Sequence, residues 1–374
     1  MKKKCLAFIS VGEYSGDLLA SELVGRFRDI SPEINFFGIT GDELQRSNVV
    51  SVATTAELSV MGFSDIVANL ARLRELETRV LAAVDRRKPE FAILVDNPGF
   101  HFQLAEKLKV RQIPVFQYVA PKLWAWGEGR VTRLKEHFTR VFGILPFEAP
   151  FFLNHGVNYA YFGCPIRDRV EKISAHKQDF KLIETAKVVA FLPGSRWQEI
   201  ELIFPRMREI AAHLKNLAPD IQCIVPVAEN LDFETIQKHF QTPDFQFFKG
   251  RSLELLSVAE AAVVASGTAT LETALSRVPM SVIYVMNDLN YQIAAKVIKT
   301  EFISLVNLIA QKQVVKEYVQ NFSSEDVAQE IYSLIFDVSK RAAMLEDFRS
   351  LVLNLQLHSA EKVAHAILNI MKKR

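Results

Sequence analysis

The chain of 374 residues is longer than one hydrophobic core ordinarily supports, and 49% hydrophobic with 24% charged residues is an ordinary globular composition. Two domains are expected, and a disordered or fibrous chain is excluded. A formal charge of +2 argues against a nucleic-acid partner, while three scattered cysteines, Cys5, Cys164 and Cys223, match no metal spacing and fit a reducing cytoplasm.

The start, "MKKKCLAFISVGEYSGD", imitates a secretion signal, but its apolar run is short, lacks a small-residue cleavage site and meets Gly12 and Glu13 at once. It predicts a first buried strand. Short apolar runs then alternate with longer amphipathic segments, the pattern of βαβ units and a parallel sheet. One set is "CLAFISV", "INFFGI", "FAILVD", "VFQYVA" and "RVFGILP"; the other is "VVAFLPG", "IQCIVPV", "FQFFKG", "AAVVASG" and "MSVIYV". Two sets imply two doubly wound domains that meet at about residue 167, in "FGCPIRDRV". After Tyr332 the pattern is helical, and no run has the length of a membrane-spanning helix.

In open parallel sheets ligands lie beyond the carboxyl ends of the strands, where loops lead into helix N-termini. After the first strand, Gly12 and Gly16 bracket Glu13 and Ser15, a turn expected to shape a cleft although its spacing is not that of a dinucleotide fingerprint. In "VMGFSDIVANLARLRELETRV", Met61, Phe63, Ile66, Val67 and Leu70 share a helical face with Arg72 and Arg74 beyond it, either a core helix or one that dips into lipid. The strand Phe91, Ile93, Val95 ends at Asp96 in "LVDNPGFHF", which places a carboxylate in the interdomain cleft as a general base or, more plainly, as a cap. "YVAPKLWAWGEGR" sets Trp124 and Trp126 in a loop with Arg130, to stack on a sugar or to pack against a helix.

The second half holds two copies of one arrangement: a strand, a turn of small residues, a helix. In "LPGSRWQEI" these are Gly194, Ser195 and Arg196, and in "ASGTATLET" they are Ser266, Gly267 and Thr268. Backbone N–H groups at such turns face an anion, Ser266 and Thr268 can cap, Arg196 adds a fixed charge, and Glu272 lies about one turn in, within reach of ribose hydroxyls. A nucleotide diphosphate fits. The plainer readings are a capped helix and a surface pair of Arg196 with Glu199. No D-x-D motif stands at a strand end in this half, so no metal or other cofactor is expected.

The ordered set "GEYSGD", "VMGFSDI", "DNPGF", "YVAPKLWAWGEGR", "LPFE", "LPGSR", "SGTATLE", "PMSVIY" and "KTEFISLVNLIA" closely resembles the lipid-A-disaccharide synthase family over almost the whole chain. The resemblance implies an α/β fold of GT-B architecture, two Rossmann-like doubly wound domains with an interdomain cleft. Residues 1–167 would bind acceptor and lipid, 168–345 the UDP-sugar, and helices in 346–374 would return to the first domain. It implies an inverting hexosyltransferase that joins UDP-2,3-diacylglucosamine to 2,3-diacylglucosamine 1-phosphate, giving a β-1,6-linked disaccharide 1-phosphate and UDP. Asp96 then becomes the base, with Glu13 as a second catalytic candidate, and Asn307 in "SLVNLIA" a contact of the donor. Ser15, Trp124, Trp126, Arg130, Met61, Phe63, Ile66 and Val67 fall to the acceptor and its acyl chains. The family works peripherally at the inner face of the Gram-negative cytoplasmic membrane, and the resemblance suggests a homodimer.

Several positions depart from the family pattern. Gly38 and Gly41 stand in "GITGDEL" where a "GGPRM"-like turn is common, Cys164 replaces a histidine, and Gly99, Gly127 and Val285 replace charged residues. These bear on substrate detail more than on fold. The rival readings are a UDP-sugar 2-epimerase and a non-catalytic relative that binds UDP-sugar or lipid.

Overall fold

The structure, a computed structural model, describes residues 5–58, 66–171, 173–297 and 300–373. They form two compact units, one of Met1–Pro165 with Gln356–Arg374 and one of Ile166–Leu355.

In the first unit the strands are β1 (Cys5–Val11), β2 (Ile34–Thr40), β3 (Val50–Thr54), β4 (Phe91–Val95), β5 (Val115–Tyr118), β6 (Arg140–Gly143) and β7 (Tyr159–Tyr161). They pair in parallel in the order β3-β2-β1-β4-β5-β6-β7. The helices are α1 (Tyr14–Ile30), α2 (Asp42–Arg46), α3 (Thr55–Leu58), α4 (Ile66–Arg87), α5 (Pro98–Val110), α6 (Val131–His137) and α7 (Glu148–Asn154). After α8 (Pro165–Val170), the second unit has β8 (Val188–Leu192), α9 (Trp197–Leu217), β9 (Gln222–Val227), α10 (Phe233–Phe240), β10 (Phe245–Lys249), α11 (Ser252–Ser257), β11 (Ala261–Ala265), α12 (Thr268–Leu275) and β12 (Met280–Tyr284). It continues through α13 (Asp288–Val297), α14 (Leu305–Ala310), β13 (Glu317–Val319), α15 (Ser324–Phe336) and α16 (Val338–Leu353), and the chain ends in α17 (Ser359–Lys372). This sheet runs β10-β9-β8-β11-β12-β13, again parallel.

Three central strands are apolar along their whole length, because helices cover both faces of a parallel sheet. "FAILV" in β4, "VVAFL" in β8 and "AAVVA" in β11 are buried at every residue. Strand order reverses between β1 and β4 in one sheet and between β8 and β11 in the other, which opens a crevice at the carboxyl ends of those pairs. All ten apolar runs form strands. Three strands carry no apolar run: β3 and β13 lie at sheet edges with few buried residues, and β7 is three residues long.

The returning segment is shorter than the expected 346–374. Helix α16 stays with the second unit, where Met344, Phe348 and Leu351 are buried, Met280 N donates to Met344 Sδ (3.4 Å) and Arg341 donates to the Glu260 carbonyl (2.5 Å). The chain rejoins the first unit at Gln356, whose carbonyl accepts from Cys164 N at 2.9 Å. Gly163 makes this approach possible: its φ is 127°, and a Cβ there would lie 2.5 Å from the Gln356 oxygen. Helix α17 then packs on α1 through Val363, Ala364 and Ile367.

Candidate active site

In the first unit the crevice is flanked by the β1–α1 turn, with Gly12, Glu13 and Ser15, and by the β4–α5 turn, which begins at Asp96. The two turns touch. A Cβ on Gly12 would lie 2.2 Å from Asn97 Nδ2, and one on Gly16 would lie 3.9 Å from Asp96 Cβ, so glycine is what allows the contact at Gly12. Glu13 is the extended N-cap residue of α1, and Glu13, Ser15 and Asp96 are all half-buried. Asp96 and Asn97 are both left-handed, with φ of 54° and 43°, and Val119, just past β5, has φ of 66°. Each such non-glycine residue stores about 1–3 kcal/mol, most of all a β-branched one. Asn97, not Asp96, caps α5, accepting weakly from Phe100 N at 3.5 Å, so the capping alternative for Asp96 is not realised.

Asp17, the last residue of "GEYSGD", is buried and accepts from the backbone N–H groups of Gly41 (2.9 Å), Glu43 (2.8 Å) and Leu44 (3.3 Å). Burial raises its pKa, with these three bonds opposing. Gly41 is needed here because a Cβ would lie 2.4 Å from the Asp17 carboxylate.

The two tryptophans have different fates. Trp124 packs edge-on against Phe147 with centroids 4.8 Å apart and donates through Nε1 to Glu148 at 3.3 Å. Trp126 is 44% exposed and lies under the guanidinium of Arg130, 4.4 Å from the ring centroid. Gly127 takes φ of 84° beside that guanidinium, and a side chain there would crowd it. Glu148 is buried and also accepts from Leu145 N and Tyr159 OH, both at 3.4 Å. Burial pushes its carboxyl up to about 7. Met61 and Phe63 lie outside the described residues; Ile66 and Val67 open α4, but their side chains also lie outside the description.

In the second unit the crevice between β8 and β11 is flanked by Gly194–Arg196 and by Ser266–Thr268. Arg196 is the N-cap residue of α9 and Gly267 that of α12, and neither helix has a side-chain cap. Ser266 therefore does not cap as expected; its hydroxyl donates to the Ile303 carbonyl at 2.9 Å. Gly267 has φ of 155° and ψ of −159°, with open space where a Cβ would stand. The N–H groups at both helix starts can thus face an anion.

Arg196 makes the surface pair with Glu199 (2.7 Å) that its spacing allowed, and Glu199 also sits 2.8 Å from where a Cβ on Gly194 would be. Tyr284, at the end of β12, feels both charges: burial raises its pKa first, Glu199 adds to that and Arg196 opposes it. Glu272 is in a half-buried ion pair with Arg169 at 3.0 Å.

Asn307 needs a correction. It is fully buried, its Nδ2 donates to the Val315 carbonyl and Glu317 Oε1 (both 2.8 Å), and its Oδ1 accepts from Val314 N (2.8 Å) and Val315 N (2.9 Å). All four hydrogen bonds of the amide are spent internally, leaving none for a donor sugar. Asn307 acts on the site at one remove: Glu317 also accepts from Ile303 N and Ser304 N, which fixes the loop that receives the Ser266 hydroxyl. Among the described residues no group of three or more His, Cys, Asp or Glu could hold a metal ion, and no helix is long and apolar enough to cross a membrane.

The model of the lipid-A-disaccharide synthetase family matches residues 7–370. The chain is 35% identical over 372 residues to the lipid-A-disaccharide synthase of Myxococcus xanthus, covering 97% of both chains, and 36% identical over 378 residues to that of Syntrophus aciditrophicus, covering 98% of both. Among solved structures it is similar to the glycosyltransferase of kitacinnamycin, with a TM-score of 0.67 at 14% identity and 99% coverage of each chain. It is also similar to a UDP-N-acetylglucosamine 2-epimerase, with a TM-score of 0.60 at 12% identity, covering 98% of this chain and 95% of that one. At such identities the likeness is one of fold, the GT-B type, which glycosyltransferases and epimerases share; the sequence relatives decide between them. The chain belongs to the lipid-A-disaccharide synthase family of glycosyltransferases.

Proposed function

We propose that this glycosyltransferase of lipid A biosynthesis transfers the sugar of UDP-2,3-diacylglucosamine to the 6-hydroxyl of 2,3-diacylglucosamine 1-phosphate, releasing UDP. The observation that carries the residue roles is that all four candidate loops stand at the two points where strand order reverses. Asp96 takes the acceptor proton as the oxygen attacks the anomeric carbon, and the strained turn that holds it is the kind of backbone found at working sites. Glu13 and Ser15, on the neighbouring turn, contact the acceptor. The charge that develops on the departing diphosphate is met by Arg196 and by the uncapped N–H groups after Gly194 and Gly267. Glu272 holds the ribose once Arg169 shares it. Trp126 and Arg130 face the acceptor sugar and phosphate, and Met61, Phe63, Ile66 and Val67 meet acyl chains at the inner face of the cytoplasmic membrane, which the protein binds peripherally as a homodimer.

The test is an endpoint assay with both acylated substrates in detergent, with products read by mass spectrometry. Acceptor-dependent disaccharide 1-phosphate and UDP are expected from the native protein. Asp96→Ala should lower turnover by about 100-fold or more while leaving UDP affinity within about twofold; retained turnover would remove Asp96 from the mechanism.

A further inference from the structure

The left-handed residues Asp96, Asn97 and Val119 lie at the carboxyl ends of two neighbouring strands, β4 and β5, and such a backbone persists only where its surroundings hold it. Two buried polar side chains do so. His101, with no exposed surface, donates from Nδ1 to the Asp96 carbonyl at 2.7 Å. Gln117, the polar residue of β5, donates from Nε2 to the same carbonyl at 3.3 Å and to the Val119 carbonyl at 3.1 Å.

The far side of the His101 ring is occupied as well. A carbonyl only accepts, so the ring proton sits on Nδ1, and the lone pair of Nε2 accepts from the Ser10 hydroxyl of β1 at 2.8 Å. Burial holds the His101 pKa down at about 4, so the ring stays neutral and the tautomer fixed at neutral pH. One chain of hydrogen bonds, from Ser10 through His101 and the Asp96 carbonyl to Gln117 and Val119, therefore ties together the ends of β1, β4 and β5. No motif or resemblance pointed to any of these three side chains.

We propose that His101 and Gln117 are positioning residues for glycosyl transfer: they hold the Asp96 carbonyl, and through it aim the Asp96 carboxylate at the acceptor hydroxyl, with Ser10 setting the His101 ring. The proposal rests on the reading of Asp96 as the base. A side chain that aims the base acts on the reacting geometry and not on ground-state binding, and small misplacements of a reacting group cost on the order of 100-fold in rate.

The experiment is a set of steady-state kinetics on the full-length protein with both acylated substrates. His101→Phe should lower kcat by roughly 30-fold or more, with KM for both substrates and Kd for UDP within about twofold. His101→Asn, whose amide nitrogen can stand near the place of Nδ1, should recover most of that loss. The deciding variant combines His101→Phe with Asp96→Asn: once the base is gone its aim no longer matters, so the double variant should turn over no more slowly than Asp96→Asn alone. A purely structural role would instead make the losses multiply.

Should His101→Phe fail to fold, Gln117→Met and Ser10→Ala carry the same expectations, with smaller losses. Native kcat in the folded variants, or losses that multiply with Asp96→Asn, would overturn the proposal. An Asp96→Asn protein with native turnover would instead overturn the base assignment beneath it, so the two failures are distinguishable.

Discussion

Glu148 lets the polar support under the tryptophan loop be measured apart from any activity. Its carboxyl is buried and pushed from 4.5 up to about 7, chiefly by burial, while bonds from Trp124, Leu145 and Tyr159 and the charge of Lys122 pull the other way. The folded state binds this proton more tightly than the unfolded chain does, so the stability it confers is full below about pH 4.5 and is lost as the pH rises through 7. At about 1.4 kcal/mol per tenfold in proton affinity, the loss between pH 5 and pH 8 comes to about 2.5 kcal/mol. Glu148→Gln cannot titrate, so the gap between native protein and variant should shift by that amount in the variant's favour over the interval. A constant offset of about 1 kcal/mol for the altered hydrogen bonds would lie on top. Urea unfolding followed by tryptophan fluorescence measures it, in a Trp197→Phe background so that Trp124 and Trp126 of the first unit are the reporters. A gap that stays constant within about 0.5 kcal/mol from pH 5 to pH 8 would mean that the carboxyl is ionised throughout, and would refute the argument from burial.

The second unit supplies three more expectations. Arg196→Ala removes an exposed ion pair worth about 0.5 kcal/mol or less, so stability should hold while UDP affinity, measured calorimetrically at low salt, falls by about tenfold or more. Gly267→Ala forces a side chain onto a backbone region that is essentially glycine's alone; a drop of about 1–3 kcal/mol in stability and a weaker UDP complex are expected, and unchanged UDP binding would place the diphosphate elsewhere. Asn307→Ala leaves Val314 N, Val315 N and Glu317 short of partners inside the protein, so it should cost at least about 2 kcal/mol; a variant with native stability and lost UDP binding would restore the direct-contact role that the geometry denies it.

How much of this was legible in the sequence depends on whether a residue's partners are near in the chain. Strands buried on both faces read directly, because "FAILV" and "AAVVA" have no solvated face to interrupt them. The loops after β1, β4, β8 and β11 read for the same reason, since each follows such a strand. Edge strands did not: "VSVAT" leaves its first two residues exposed and alternates too weakly to stand out. Asn307 departs from the role its motif implies because a motif gives position and not direction, and its four bonds go to partners seven to ten residues on, three of them backbone groups. His101, Gln117 and Glu148 carry no sequence signal of their partners, in that each has one far along the chain: 91 residues from His101 to Ser10, 21 from Gln117 to Asp96 and 24 from Glu148 to Trp124. A signal existed for Gln117, a polar side chain within the apolar run "VFQYV", where an unpaired amide would be costly to bury.

The point where Gln356 meets Gly163 also sets an order of events during synthesis. Helix α17, which covers α1, is translated only after the whole of Ile166–Leu355, so for roughly ten to forty seconds at ordinary elongation rates the first unit waits with that apolar face uncovered. The second unit, continuous in sequence, has no such wait.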